Sequence, residues 1–96
     1  MKYIVQFQDN PGNEHLRKTH MASHLEFLGA NPNIIAAGPL FSAENNGCGG
    51  MWLVNAPDTA TVFALTRDDP LFNTGLRKNI EILEWHQVFC DGKRLI

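Results

Sequence analysis

Cysteine is scarce in this 96-residue sequence, with only Cys48 and Cys90. Two cysteines do not make a disulfide framework. They read as free thiols of a reducing, cytoplasmic setting. Positive charge is also sparse: 8 lysines and arginines stand against 10 acids, for a net charge of −2, and no basic run occurs. A nucleic-acid reader shows a basic stripe, so no nucleic-acid partner is expected. No apolar stretch approaches the ~20 residues needed to span a bilayer. The start, "MKYIVQFQDN", turns polar too early for a signal peptide. No membrane association is therefore expected. There is no G-x-G-x-x-G, no P-loop and no H-E-x-x-H, so neither a nucleotide cofactor nor a bound metal is expected. Repeats, linkers and low-complexity tracts are missing too. Residues 1–96 read as a single domain of ordinary globular composition, 44% hydrophobic and 19% charged.

What is present is alternation and helical spacing in a definite order. "KYIVQFQ" (2–8) sets Tyr3, Val5 and Phe7 against Lys2, Gln6 and Gln8, the pattern of a half-buried strand. "DNPGN" turns the chain. Helical spacing runs from Glu14 to about Gly29, where "GANPN" ends it. "IIAAGPLF" (34–41) predicts a strand interrupted at Gly38-Pro39. "SAENNGCGG" (42–50) predicts a polar, glycine-rich loop, and "MWLVNA" (51–56) a third strand. After Pro57, Asp58 and Thr59 are candidate caps for a second helix that packs Val62, Phe63 and Thr66 inward and closes at Pro70. "NIEILEWHQVF" (79–89) predicts a last strand with apolar residues on both faces, and "CDGKRLI" is a tail.

The order β-α-β-β-α-β predicts an α+β, ferredoxin-like fold: a four-stranded antiparallel sheet with two helices on one face. The other sheet face is left bare, and Phe7, Phe41, Trp52 and Trp85 must lie near the sheet. A bare apolar face of that size implies a partner. A two-fold homodimer packed sheet on sheet is the economical solution, alone or within a larger assembly.

The first helix contains an anomaly. At about 100° per residue, Leu16, His20, Met21, His24, Leu25, Phe27 and Leu28 fall in one half of the wheel. His24 lies near the middle of that apolar half and His20 nearer its edge. Its ring is therefore aimed at the sheet, either as a core histidine bonded to carbonyls or as a working group. Two histidines one turn apart also suit zinc, but no third ligand stands beside them. His15 reads as solvated, and His86 as a strand residue able to line a pocket. A second anomaly is "RDDPLFNTG": Asp68 and Asp69 sit at a helix C-terminus, where negative charge is unfavourable.

The segments "YIVQFQD", "SHLEFL", "AAGPL" (36–40) and "DPLFNTG" (69–75), in that order and spacing, resemble the YCII (YciI-like) family. The resemblance spans nearly the whole chain; the 42–50 loop departs from it. It implies a dimeric α/β barrel and a histidine–aspartate pair that falls on His24 and Asp69, the acid directly before the proline, rather than on Asp68. It also implies a pocket between sheet and helices. Residues expected to meet the substrate there are Pro39, Phe41, Ser42, Trp52, Phe72 and Trp85.

An aspartate that holds one imidazole nitrogen fixes the tautomer and leaves the other nitrogen as a general base or acid. The expected activity is cofactor-free proton transfer on a small, hydroxylated aromatic molecule. Within the family, one known activity is loss of HCl from a chlorinated hydroxyquinol to give a hydroxybenzoquinone, a lyase-type reaction that such a pair suits. Other readings stay open: a ligand-binding or accessory domain without turnover, a cofactor-independent monooxygenase on the same scaffold, or a haem-binding relative.

Overall fold

Alternation builds the first strand. In β1 (Lys2–Asp9), Tyr3, Val5, Phe7 and Asp9 are buried while Gln6 and Gln8 are exposed. The structure, a computed structural model, describes residues 1–44 and 47–96. β1 is a central strand, paired antiparallel with β3 (Gly47–Asn55) on one side and β4 (Arg77–Glu84) on the other. β2 (Ile34–Phe41) pairs with β3 at the edge, giving the order β2-β3-β1-β4. Three helices join the strands: α1 (His15–Thr19), α2 (Met21–Ala30) and α3 (Thr59–Asp68). The result is the expected α+β, ferredoxin-like sheet-and-helix fold.

The core lies between the helices and one sheet face. Tyr3, Val5 and Phe7 meet Trp52 and Val54 from β3 and Val62 from α3, with Phe27, Leu28 and Leu65 packed against them. Trp52 anchors this layer. It is 2% exposed and packs edge-on to Phe7, with ring centroids 5.0 Å apart. Such a pair adds ~0.5–1.5 kcal/mol to what area burial contributes. α3 starts at Asp58, whose side chain accepts the Thr61 N–H at 2.8 Å, a cap worth ~1 kcal/mol. On the opposite sheet face Ala36, Leu53, Ile4 and Leu83 line up in register across the four strands, and among the described residues the helices pack on the other face.

Several local expectations differ from what is observed. The single helix from Glu14 to Gly29 is two helices, broken at His20, whose φ of −103° and ψ of 13° leave the helical well. Leu25, expected on the buried half of the wheel, is 57% exposed. β2 is continuous through Gly38-Pro39, because an edge strand tolerates a residue without an N–H. Much of the glycine-rich 42–50 stretch is strand rather than loop: β3 begins at Gly47. A Cβ on Gly49 would overlap the Phe7 carbonyl oxygen, so the glycine serves close strand approach there. Asn45 and Asn46, within the expected loop, lie outside the described residues.

The last strand ends at Glu84 rather than residue 89. Trp85 N–H still bonds the Lys2 carbonyl at 2.9 Å, and the chain then leaves the sheet. The tail is not featureless. β5 (Phe89–Cys90) and β6 (Lys93–Arg94) form a hairpin across Asp91-Gly92, both with positive φ, as a tight two-residue turn requires. Phe63, expected inside, is 43% exposed; Val62 and Thr66 alone from α3 are fully buried.

Candidate functional site

α2 carries His24 over the sheet, and the end of α3 brings Asp69 to it. His24 is the one buried residue of α2. Its Nδ1 lies 2.9 Å from Asp69 Oδ1. Asp69 caps the C-terminus of α3 in extended backbone conformation and is 2% exposed. Three donors converge on its carboxylate. Besides His24, the Leu71 N–H donates to Oδ1 at 3.0 Å and the Arg77 guanidinium donates through Nη2 to Oδ2 at 2.8 Å. These groups offset the unfavourable charge at the helix C-terminus. Asp68, one residue earlier, is exposed.

Burial by itself would push the Asp69 carboxyl up. The hydrogen bonds from His24 and from the Leu71 N–H, with the Arg77 charge, outweigh it and hold Asp69 below the ordinary carboxylate value. Asp69 is therefore an anion that only accepts, so His24 Nδ1 must donate. In the neutral ring that tautomer puts the lone pair on Nε2, the form needed to take a proton. Arg77 is pulled below the usual guanidinium value by its burial, while Asp69 pulls it back up.

His24 and Arg77 line one cavity of about 120 Å³, walled by Phe7, Leu28, Pro39, Trp52 and Leu71. Roughly 150 Å³ suffices for benzene in a closed apolar cavity. This one is somewhat smaller but partly open, and the open side adds the room a single small ring needs. Gly50 leaves room in the wall: a Cβ there would stand 3.2 Å from the Gly38 carbonyl and 3.9 Å from Arg17. Arg17, on α1, also lines the cavity, held by two bonds to Asp9 at 2.8 and 3.0 Å.

Of the residues expected to meet a substrate, Pro39 and Trp52 share the cavity with His24. Phe41 is 61% exposed and borders the adjoining, wider opening between α1 and β2 with Met21 and Lys18. Ser42 is half-buried just past β2 and is not among the described residues that line either space. Phe72 and Trp85 stand apart from both spaces. Phe72 packs edge-on to Phe63, centroids 6.5 Å apart, in another groove with Lys78 and Ile80, which shares Arg77 with the cavity. Trp85 lies beyond the end of β4 and is 41% exposed, because the strand stops one residue earlier than it. His86 is not among the described residues that line this cavity: its side chain is 78% exposed and pairs with Glu84 at 2.9 Å.

Sequence reasoning missed Arg17 and Arg77. The available signal was an acid at the end of β1 and an arginine at the start of β4. Asp9 and Arg77 are register partners, which is visible only once the strands are paired.

An antiparallel ferredoxin-like sheet with a histidine–aspartate pair at the wall of a ring-sized pocket defines the class. The chain belongs to the YCII-related domain family, whose family model matches residues 1–86. No curated protein sequence matches it. Among solved structures it is similar to 5-chloro-2-hydroxyhydroquinone dehydrochlorinase from Burkholderia phenoliruptrix AC1100, in complex with 2,5-dihydroxybenzoquinone. The TM-score is 0.80 at 23% identity over 90% of this chain and 94% of that one. It is also similar in fold to an antibiotic biosynthesis monooxygenase, with TM-score 0.56 and 17% identity over 91% and 97% of the two chains. A cofactor-independent oxygenase from Streptomyces nogalater gives TM-score 0.54 and 12% identity over 90% and 92%. No helix among the described residues is long and apolar enough to cross a membrane.

Proposed function

We propose that the chain is a cofactor-free acid–base enzyme acting on a small hydroxylated aromatic ring, with His24 as the proton-transfer group and Asp69 as its orienting anion. The observation that carries this reading is the 2.9 Å Nδ1–Oδ1 contact in the wall of a cavity sized for one ring. The sharpest form is loss of HCl from 5-chloro-2-hydroxyhydroquinone to give a hydroxybenzoquinone. The structural likeness to the dehydrochlorinase supports that choice. The product-like 2,5-dihydroxybenzoquinone is then a ligand for this pocket as well.

The chemistry needs only proton movements. His24 Nε2 takes a phenolic proton from the oxygen next to the chlorinated carbon. The ring ketonises as His24 returns a proton to that carbon. Loss of a second phenolic proton drives out chloride with the C–Cl electron pair, and the quinone forms. A C–H bond forms and a C–Cl bond breaks. The ring is oxidised by the chlorine it expels, so no external oxidant enters. The reading includes a second copy of the chain covering the bare sheet face, for which sedimentation should report twice the chain mass.

The test is anaerobic turnover of 5-chloro-2-hydroxyhydroquinone, following chloride release and quinone absorbance, with His24→Ala alongside. Loss of a general acid–base group lowers the rate by ~10²–10⁴. A folded His24→Ala protein that releases chloride at the wild-type rate sinks the reading. Turnover that requires oxygen would move the chain to the monooxygenase class.

A further inference from the structure

Arg77 has more donors than the protein uses. Its side chain is 5% exposed, and Nη2 donates to Asp69 at 2.8 Å. Its guanidinium carbon sits 3.8 Å from the centre of the Phe7 ring, so one face of the group is covered by an aromatic. Nε and both hydrogens on Nη1 remain. These two nitrogens are buried and find no acceptor among the described residues. Buried donors on a charged group are costly to leave unmade, and such groups in folded proteins normally have a partner.

The other arginine of the cavity does not share this property. Arg17 has both terminal nitrogens on Asp9, and Nη2 also reaches the Gly49 carbonyl at 3.3 Å. The spare donors therefore belong to Arg77, which borders the groove of Phe72 and also lines the cavity of His24, where apolar walls strengthen any charged hydrogen bond made there.

We propose that Arg77 is the anchor for a negatively charged ring oxygen, so that the cavity binds its hydroxylated ring as the oxyanion. The inference rests on the proposed function for the ligand's shape and adds its charge. It divides the labour in the pocket. His24 moves the proton, and Arg77 holds the phenolate that proton loss creates. An acidic hydroxyquinone product is held by the same donors. A guanidinium suits this because its N–H groups lie in one plane with the ring it must meet edge-on.

The experiment compares two ligands of similar size by calorimetry at pH 7 under anaerobic conditions. 2,5-Dihydroxybenzoquinone is a vinylogous acid and is ionised there; 1,4-hydroquinone is neutral. Wild type should bind the anion more tightly by about tenfold to a hundredfold, the range of a hydrogen bond to a charged group. Arg77→Met should lose that preference, its ratio of anion to hydroquinone affinity falling toward one. Arg77→Lys, which keeps the charge and loses the fork, should recover part of it. A neutral ring bound as tightly as the anion, or no binding of the anion at millimolar concentration, overturns the proposal using wild type alone, should Arg77→Met not fold. A folded Arg77→Met that keeps the preference overturns it too. Failure of the chloride-release assay with anion preference intact removes only the enzyme reading. Turnover without anion preference removes only the Arg77 assignment.

Discussion

Two carboxylates sit near each other at one end of the sheet, and each is gripped by an arginine. Asp9 closes β1 and Asp69 closes α3. Both are buried, at 7% and 2% exposure. Their partners differ in how much they leave over. Arg17 meets Asp9 with both terminal nitrogens, a two-pronged pair that ties α1 to the sheet. Asp69 instead gathers a ring nitrogen, a backbone N–H and one arginine nitrogen. The first pair is closed and acts as a strut. The second leaves the far imidazole nitrogen and unused guanidinium donors on two residues that line one cavity. The same residue types become structure or chemistry according to how many of their hydrogen bonds are spent internally.

The comparison breaks most visibly at Asp69. Asp69→Asn removes the charge that fixes the His24 tautomer and strands a buried guanidinium. Turnover should fall ~10²–10⁴, and stability by about 3–5 kcal/mol, the range for breaking a buried pair. Urea unfolding and the chloride assay measure the two effects separately. Wild type should also show an acid-side loss that the variant lacks. Asp69 titrates lower in the folded state than in the unfolded chain, whose value is ~3.9. Between the two values the unfolded chain holds more protons, so stability rises with pH there. The contribution is complete above the unfolded value and disappears as pH falls through the folded one.

The smaller effect is expected at the strut. Asp9→Asn should cost about 1–3 kcal/mol, less than at Asp69 because Arg17 is 17% exposed and can return to water. Its turnover should stay closer to wild type than that of Asp69→Asn by about an order of magnitude or more. Equal rate losses in the two variants would erase the distinction between strut and site.

Legibility followed the range of the interaction. β1, α3 and the burial of His24 were readable because alternation and helical spacing are local properties of ten residues or fewer. The break at His20 was not, because neither neighbouring turn carries a glycine, proline or side-chain cap to announce it. Chemical type alone places Phe72 and Trp85 in the pocket. Their actual places depend on where β4 begins and ends, and strand ends are set by pairing with β1. Gly47–Gly50 read as a loop because glycine breaks strands in isolation; here it lets β3 press against the Phe7 backbone.

The sequence by itself determined the element order, and with it the ferredoxin-like sheet and its helix-covered face, because period and turn chemistry act between near neighbours. It also determined that a histidine would face the core and that an aspartate would stand at the wrong end of a helix. Only the tertiary structure decided that those two meet across 45 residues of chain, and that Arg77 reaches the same carboxylate with donors to spare. Contacts of that range depend on strand register and helix placement, which no local pattern encodes.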